Sequence, residues 1–184
     1  MQKVPGGNEL LNPAQLLERA GVTPGMRVGD FGCGGMGYFS LQAARMVGDN
    51  GIVYAIDILK SALTSVASLA KQSGLENVKT VWSNIEMAGA TKIPDHSLNV
   101  ALVKNVLFQT KKREDFLREV TRCLKPGGIM MVVDWKLAGS PLGPVREDRV
   151  PPEEVRSIAR GLNLKEEDSF EAGQYHFGLL FKKA

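Results

Sequence analysis

A glycine-rich loop between a strand-like segment and a helix-like segment constrains the fold of this chain more than any other feature. The short apolar run at residues 26–31 predicts a buried strand, and apolar residues from Phe39 to Val47 recur at helical spacing. Between them lies the sequence GCGGMG at residues 32–37. Glycine lets a ligand approach the backbone closely, and a helix start offers unpaired N–H groups with partial positive charge. This arrangement predicts a site for the polar end of a nucleotide-like cofactor.

A carboxylate at the end of the next strand-like segment supports the same interpretation. Residues 52–57 form an apolar run that ends at Asp57, 20 residues after Gly37. An acid at this distance can accept hydrogen bonds from the two ribose hydroxyls of an adenosine. The loop also matches the G-x-G-x-x-G spacing of dinucleotide-binding proteins, so an NAD(P)-dependent oxidoreductase is one hypothesis.

Strand-like and helix-like segments alternate along the chain, which predicts an α/β fold with a mostly parallel sheet covered by helices on both faces. The last two strand-like segments are separated only by a short connection around Ala172 and Gly173, which predicts an antiparallel C-terminal hairpin. The predicted strands lie at residues 26–31, 52–57, 78–82, 98–103, 129–133, 164–170 and 175–181. The predicted helices begin at Pro13, Tyr38, Leu59, before Phe116 and at Pro151.

Several predicted strands end in polar residues, although the rest of each strand is apolar. These residues are Asp30, Asp57, Ser83-Asn84, Lys104-Asn105 and Asp134. In open α/β sheets, ligands bind beyond the carboxyl ends of the strands, near the point where the strand order reverses. The pattern therefore predicts one sheet edge lined with hydrogen-bonding groups.

Two motifs resemble the class I S-adenosylmethionine-dependent methyltransferases. Residues 30–34 (DFGCG) resemble the opening motif of that family, and residues 124–128 (LKPGG) resemble its turn before the fifth strand. Asp57-Ile58 resembles the family's ribose-binding acid and the apolar residue that packs on adenine. The resemblance spans roughly residues 8 to 182. Within the family, the chain is most similar to the small, single-domain type of the quinone-biosynthesis methyltransferases. It implies a three-layer, seven-stranded domain that uses S-adenosyl-L-methionine and methylates a small-molecule acceptor.

The resemblance, together with the polar strand ends, predicts the residues that bind the cofactor. They are Asp30, Gly32, Cys33, Gly34, Gly37, Asp57, Ile58, Asn84, Ile85 and Lys104. The glycine loop is one residue longer than the G-x-G-x-G of the family. Asn84 stands where the family carries an acid that accepts from the adenine amino group, and its amide oxygen can still accept a hydrogen bond.

Composition and length exclude several other classes of protein. The 184 residues, 43% hydrophobic and 23% charged, suit one domain, residues 1–184, with residues 1–25 as an N-terminal segment and leading helix. The net charge of +3 is only mildly basic, and no clustered cations indicate a nucleic-acid partner. No apolar run approaches the ~20 residues of a membrane span, and no signal peptide is evident. Two cysteines without metal or disulfide spacing favour a cytoplasmic location.

The acceptor side of the site is less defined by the sequence. Methyl transfer from an activated donor needs alignment more than a dedicated catalytic residue, and no catalytic residue is assigned. The candidate acceptor-side groups are Lys104, Asn105, Gln109, Asp134 and His176. Residues 136–150 are rich in Gly and Pro, which favours either a mobile lid or a solvated connector. A non-catalytic S-adenosylmethionine-binding protein or subunit is the remaining hypothesis.

Overall fold

The computed structural model describes residues 10–138 and 142–184, in which strands and helices alternate as the sequence predicts. The strands are β1 (Arg27–Phe31), β2 (Ile52–Asp57), β3 (Val78–Trp82), β4 (Leu98–Lys104), β5 (Leu124–Trp135), β6 (Leu164–Gly173) and β7 (His176–Lys183). The helices are α1 (Pro13–Arg19), α2 (Tyr38–Val47), α3 (Lys60–Gln72), α4 (Arg113–Cys123) and α5 (Pro152–Gly161). Three of these, α2, β2 and β3, have the predicted bounds.

The seven strands form one sheet in the order β3-β2-β1-β4-β5-β7-β6. The pairs among β1 to β5 are parallel, whereas β7 runs antiparallel to both β5 and β6. The strand order reverses between β1 and β4, because the chain first adds β2 and β3 on one side and then crosses to the other. This confirms the predicted sheet and its antiparallel hairpin, and it places the switch point between β1 and β4.

Helices cover both faces of the sheet. On one face, apolar residues of α1 and α2 such as Leu17 and Phe39 pack against Val28 and Val100 of the central strands. On the other face, α4 and α5 pack on β4, β5 and β7 through a second cluster that includes Phe116. The central strands are buried on both sides, so they read as continuous apolar runs rather than as alternating ones. The three-layer arrangement is therefore the predicted one.

The predicted start of β5 and the predicted hairpin connection are wrong for identifiable reasons. The strand β5 begins at Leu124 rather than at Ile129, because Leu124 already pairs with Leu98 ahead of a register shift. From the Leu98–Leu124 pair to the Val100–Ile129 pair, β4 advances by two residues and β5 by five, so residues 125–128 bulge out where the sequence predicts a turn, with Gly127 at φ +73°. Gly173, which the sequence predicts to lie in the hairpin connection, pairs with His176. The turn therefore consists of residues 174–175.

Among the described residues, no helix is long and apolar enough to cross a membrane, and no group of His, Cys, Asp and Glu side chains is arranged to hold a metal ion.

Candidate cofactor site

A cleft of about 420 Å³ opens at the carboxyl edge of the sheet, beside the switch point. Four chain segments form its walls: the glycine loop after β1, the end of β2, the loop after β3 and the end of β4 with the turn that follows it. Each segment leaves the sheet at the same edge because β1 to β4 are parallel. The predicted residues Gly32, Gly34, Asp57, Ile58, Asn84, Ile85 and Lys104 all line this cleft.

Asp57 joins the glycine loop to the segment that leads into α3. Its Oδ2 accepts a hydrogen bond from the Gly34 N–H at 3.0 Å, and its Oδ1 accepts from the Leu59 N–H at 2.9 Å. Each carboxylate oxygen can accept further hydrogen bonds. Two backbone N–H groups therefore fix the side chain, and its remaining lone pairs are available to accept hydrogen bonds from a ligand in the cleft. This arrangement fits a carboxylate that binds two ribose hydroxyls.

The glycine loop approaches the cleft with bare backbone at Gly32 and Gly34. Gly34 has φ +67°, and a side chain added there would point into open space. Gly32 has φ +77°, and a Cβ there would lie 2.8 Å from Cγ2 of Val106. Both positions therefore favour glycine because of their positive φ. At Gly32 a side chain would also collide with Val106.

Cys33 and Gly37 do not line the cleft. The Cys33 thiol is buried against Ala55 and Val66, and burial, reinforced by the nearby Asp30, raises its pKa. Gly37 caps the start of α2 at φ +58°, where a Cβ would lie 3.1 Å from Cγ2 of Val66. Both residues support the glycine loop on the side that faces the protein core. Any contribution they make to cofactor binding is therefore through the position of the loop backbone and not through a side chain.

Asp30 and Lys104 form a buried ion pair below the loop. Lys104 Nζ lies 2.6 Å from Asp30 Oδ1, and the two side chains are 1% and 0% exposed. The Ser40 hydroxyl donates to Asp30 Oδ2 at 2.6 Å, and Lys104 Nζ lies 5.1 Å from the centre of the Phe39 ring. Lys104 therefore reaches the floor of the cleft with its charge already balanced.

The loop after β3 forms the wall opposite the glycine loop. The Asn84 Oδ1 accepts a hydrogen bond from the Glu86 N–H at 3.0 Å, which closes a tight turn over Ile85. Ile85 is buried, whereas Ile58 on the other side of the opening is 55% exposed. Ile58 therefore presents an exposed apolar surface at the opening of the cleft, next to Asp57.

The structure brings three of the five candidate acceptor-side groups to the cleft. Lys104, Asn105 and Gln109 line it, and the Gln109 side chain donates to the Asn105 carbonyl at 3.0 Å. Asp134 is buried away from the cleft, where it accepts from the Leu107 and Trp135 N–H groups. Burial outweighs these bonds and raises the pKa of Asp134 to about 6.

His176 also lies away from the cleft. Its ring is fully buried and packs against Trp135, with the ring centres 4.2 Å apart and the ring planes tilted by 41°. Burial, together with the cations Lys136 and Arg149, lowers the pKa of His176 to about 4, so the ring is neutral at pH 7. These surroundings fit a core histidine.

The cleft also contains residues that the sequence patterns did not reveal, notably Glu86, Val106, Thr110 and Phe116. Thr110 follows a short 3-10 helix at Leu107–Gln109, and its hydroxyl donates to a Glu86 carboxylate oxygen. Glu86 could have been suggested by its position two residues after Asn84. Thr110 has no such signal, because only the fold brings it across to the loop after β3.

Arg149 holds the segment at residues 136–150 through hydrogen bonds to its backbone. Residues 139–141 of this segment lie outside the described residues. The Arg149 guanidinium donates to the carbonyl oxygens of Lys136, Leu142 and Pro144 at 2.9 to 3.0 Å. Gly143 packs directly on the Trp135 ring, where any side chain would overlap it. The segment therefore lies over the end of β5 with one arginine joining its two ends.

Comparison with known proteins decides the family of this chain. Residues 22–169 match the family model described as a methyltransferase domain. The chain belongs to the methyltransferase family. Its fold and motifs place it in the class that uses S-adenosylmethionine, which confirms the resemblance seen in the sequence and leaves the oxidoreductase hypothesis without support.

Individual relatives agree with this assignment. The ubiquinone/menaquinone biosynthesis C-methyltransferase UbiE of Ectopseudomonas mendocina is 33% identical over 138 residues, which is 74% of this chain and 52% of the relative. The chain thus spans about half the length of the curated relatives it matches. A S-adenosylmethionine-dependent methyltransferase from Aquifex aeolicus superposes with a TM-score of 0.87 at 27% identity, covering 98% of this chain and 94% of the other. A type 11 methyltransferase from Sulfolobus solfataricus gives a TM-score of 0.74 at 25% identity, covering 95% and 94%.

Proposed function

We propose that this enzyme transfers the methyl group of S-adenosylmethionine to a small-molecule acceptor of the quinone-precursor type. The observation that carries the proposal is the gathering of Gly34, Asp57, Ile58 and Ile85 around one cleft of about 420 Å³ at the switch point of the sheet. The acceptor class rests on the relatives, which are named for ubiquinone and menaquinone biosynthesis.

Each wall of the cleft would bind a different part of the cofactor. Asp57 would accept from the ribose hydroxyls, and Ile58 would pack on the base. The bare backbone at Gly32 and Gly34 would admit the methionine part, with the balanced Lys104–Asp30 pair below it. When bound, S-adenosylmethionine supplies a sulfonium-activated methyl group. The protein then has to align the acceptor and exclude water, and alignment alone can supply about 7–11 kcal/mol of barrier reduction.

The acceptor would enter beside Asn105 and Gln109, which line the cleft next to Lys104. An amide side chain can both donate and accept hydrogen bonds, which suits a hydroxyl or carbonyl oxygen of a quinone precursor. Neither amide is a strong base, so an acceptor that reacts here would already be nucleophilic or would lose its proton to water.

Calorimetric titration and a turnover assay test the proposed function. We expect S-adenosylmethionine and S-adenosylhomocysteine to bind, and NAD and NADP to bind far more weakly. We then expect S-adenosylhomocysteine to form when purified protein is incubated with S-adenosylmethionine and a panel of demethylated quinols. Tighter binding of NAD than of S-adenosylhomocysteine would overturn the proposal. Cofactor binding without turnover on any acceptor would favour a non-catalytic role.

Asp57→Ala is expected to weaken S-adenosylhomocysteine binding by about ten- to a hundredfold, because hydrogen bonds to a charged acceptor contribute about 1.5–3 kcal/mol. Asp57→Asn should lose less, since it keeps one acceptor oxygen. Calorimetry on both variants gives the affinities, and circular dichroism checks that they fold. A folded Asp57→Ala protein with wild-type affinity would remove this residue from the site.

We also propose that the segment at residues 136–150 acts as a lid over the acceptor. Support comes from its position over the end of β5 and from Arg149, which joins the two ends of the segment through three carbonyls. Closing such a segment would exclude water from the acceptor site.

Hydrogen exchange distinguishes a lid from a connector. We expect amide protection in residues 142–150 to rise when S-adenosylhomocysteine and the best acceptor of the panel are bound together, and to change little with S-adenosylhomocysteine alone. The amides of α5, which begins directly after the segment, provide an internal reference. Equal exchange in all ligation states would identify the segment as a connector.

A further inference from the structure

The amide oxygen of Asn84 is already engaged within its own loop. Asn84 Oδ1 accepts from the Glu86 N–H at 3.0 Å. The orientation that makes this bond turns the Asn84 amide nitrogen, a hydrogen-bond donor, toward other partners. The Asn84 oxygen keeps one lone pair, but it is neutral and already shared with the loop, so it offers an adenine amino group a weaker acceptor than a carboxylate does. Asn84 therefore suits the role of holding the turn better than that of reading the base.

A carboxylate two residues later provides a stronger, charged acceptor than the neutral amide of Asn84. Glu86 lines the same cleft, and one of its oxygens accepts from the Thr110 hydroxyl. Thr110 Oγ1 in turn accepts from the Lys112 N–H at 2.9 Å, which orients the hydroxyl toward Glu86. In residues 10–138 and 142–184, the second carboxylate oxygen of Glu86 forms no hydrogen bond. Glu86 is thus oriented by the turn after β4 and retains free acceptor capacity at the wall of the cleft.

We infer that Glu86, oriented by Thr110, accepts the hydrogen bond from the exocyclic amino group of the cofactor's base and so selects adenine. This inference rests on the proposed function, because it assigns a role within the same cofactor cleft. A carboxylate accepts from an amino group through a charge-assisted bond, whereas it repels the carbonyl oxygen that hypoxanthine carries at the same position. A site built on such a bond rejects an analogue that cannot form it more strongly than an apolar contact would.

The test compares S-adenosylhomocysteine with S-inosylhomocysteine, in which a carbonyl replaces the amino group of the base. Calorimetry on wild-type protein should show clear preference for the adenine ligand. In Glu86→Gln the new amide can donate to the carbonyl, so we expect the preference to fall by about tenfold or more. The glutamine oxygen can still accept from Thr110, so the fold of the loop is kept. Thr110→Val should lower the preference less, because the carboxylate remains but is no longer oriented.

Two control variants separate base selection from a structural role. Asn84→Ala should weaken both ligands equally, because it loosens the turn without changing the group that reads the base. Glu76→Gln removes the same charge from an exposed site outside the cleft and should leave both affinities unchanged. A folded Glu86→Gln protein that keeps the wild-type preference would overturn the inference, as would an Asn84→Ala protein that loses it. If wild-type protein binds neither ligand, the proposed function itself is overturned.

Discussion

Asp30→Ala is expected to lower the free energy of unfolding by about 3–5 kcal/mol, because it leaves the Lys104 ammonium buried without a counter-charge. Lys104 is 1% exposed, and Asp30 Oδ1 is the anionic atom that the structure places beside it, at 2.6 Å. The Gly32 carbonyl, 3.5 Å from Nζ, is too distant to replace a carboxylate. Urea denaturation at pH 7 on wild-type and variant proteins measures the difference.

Two further variants show whether the loss arises from the unpaired charge. Removing both charges in Asp30→Ala/Lys104→Met should recover much of the stability, since no isolated ion is then buried. Ser40→Ala removes the hydroxyl that donates to Asp30 Oδ2 and should cost about 1 kcal/mol. An Asp30→Ala protein that unfolds at the wild-type urea concentration would show that the pair does not stabilise the fold.

The buried pair also matters for the cleft. Lys104 lines the floor, and its position is fixed by Asp30 on β1 and by the Phe39 ring on α2. A flexible lysine would carry an unbalanced positive charge close to the sulfonium of the cofactor. The pairing therefore lets a basic residue occupy the floor without repelling a cationic ligand.

The parts of the site that the sequence predicts are those set by backbone position. Asp57 and Gly34 could be assigned because a strand end and a glycine loop fix where their atoms lie. The antiparallel hairpin could be predicted because the short connection between the last two strands admits no crossover helix.

The parts that the sequence did not predict depend on which way a side chain faces and on distant contacts. Asp134 follows a run of apolar strand residues, as Asp57 does. However, β5 continues to Trp135, and the Asp134 carboxylate accepts a hydrogen bond from the Leu107 N–H and does not face the cleft. The contact of Thr110 with Glu86 joins residues 24 positions apart in the chain. No local pattern encodes such a contact, because it depends on how the turn after β4 packs on the loop after β3.

A buried glutamate makes the loop after β3 sensitive to acid. Glu119 of α4 accepts from the Gly89 N–H at 2.7 Å, from the Thr91 hydroxyl at 2.6 Å and from the Arg122 guanidinium at 2.8 Å. Burial alone would raise the pKa of Glu119, but the hydrogen bonds from these partners outweigh it and lower the pKa from 4.5 to about 2. The charged form of Glu119 therefore stabilises the folded protein.

The sign of the pH dependence follows from the lowered pKa. Stability from Glu119 is fully present above pH 4.5, where the unfolded chain also holds the carboxylate ionised, and is lost as the pH falls toward 2. We expect the stability difference between wild-type and Glu119→Gln to shrink by about 2 kcal/mol between pH 6 and pH 3. Urea denaturation at several pH values measures it, with the exposed Glu76→Gln as the charge-matched control.

The same titration should reach the cofactor cleft, because the segment that Glu119 holds continues directly from Asn84 and Glu86. Freeing Gly89 and Thr91 from Glu119 would loosen the wall that carries the base-reading residue. In Glu119→Gln at pH 7 we expect S-adenosylhomocysteine affinity to fall by a few-fold, far less than in Asp57→Ala, since no group that faces the cleft is removed.

The urea experiment on the same variant has one outcome that would contradict the role of the Glu119 charge. A difference in the free energy of unfolding between wild-type and Glu119→Gln that stays constant from pH 6 to pH 3 would show that the hydrogen bonds to Glu119, rather than its charge, hold this segment in place.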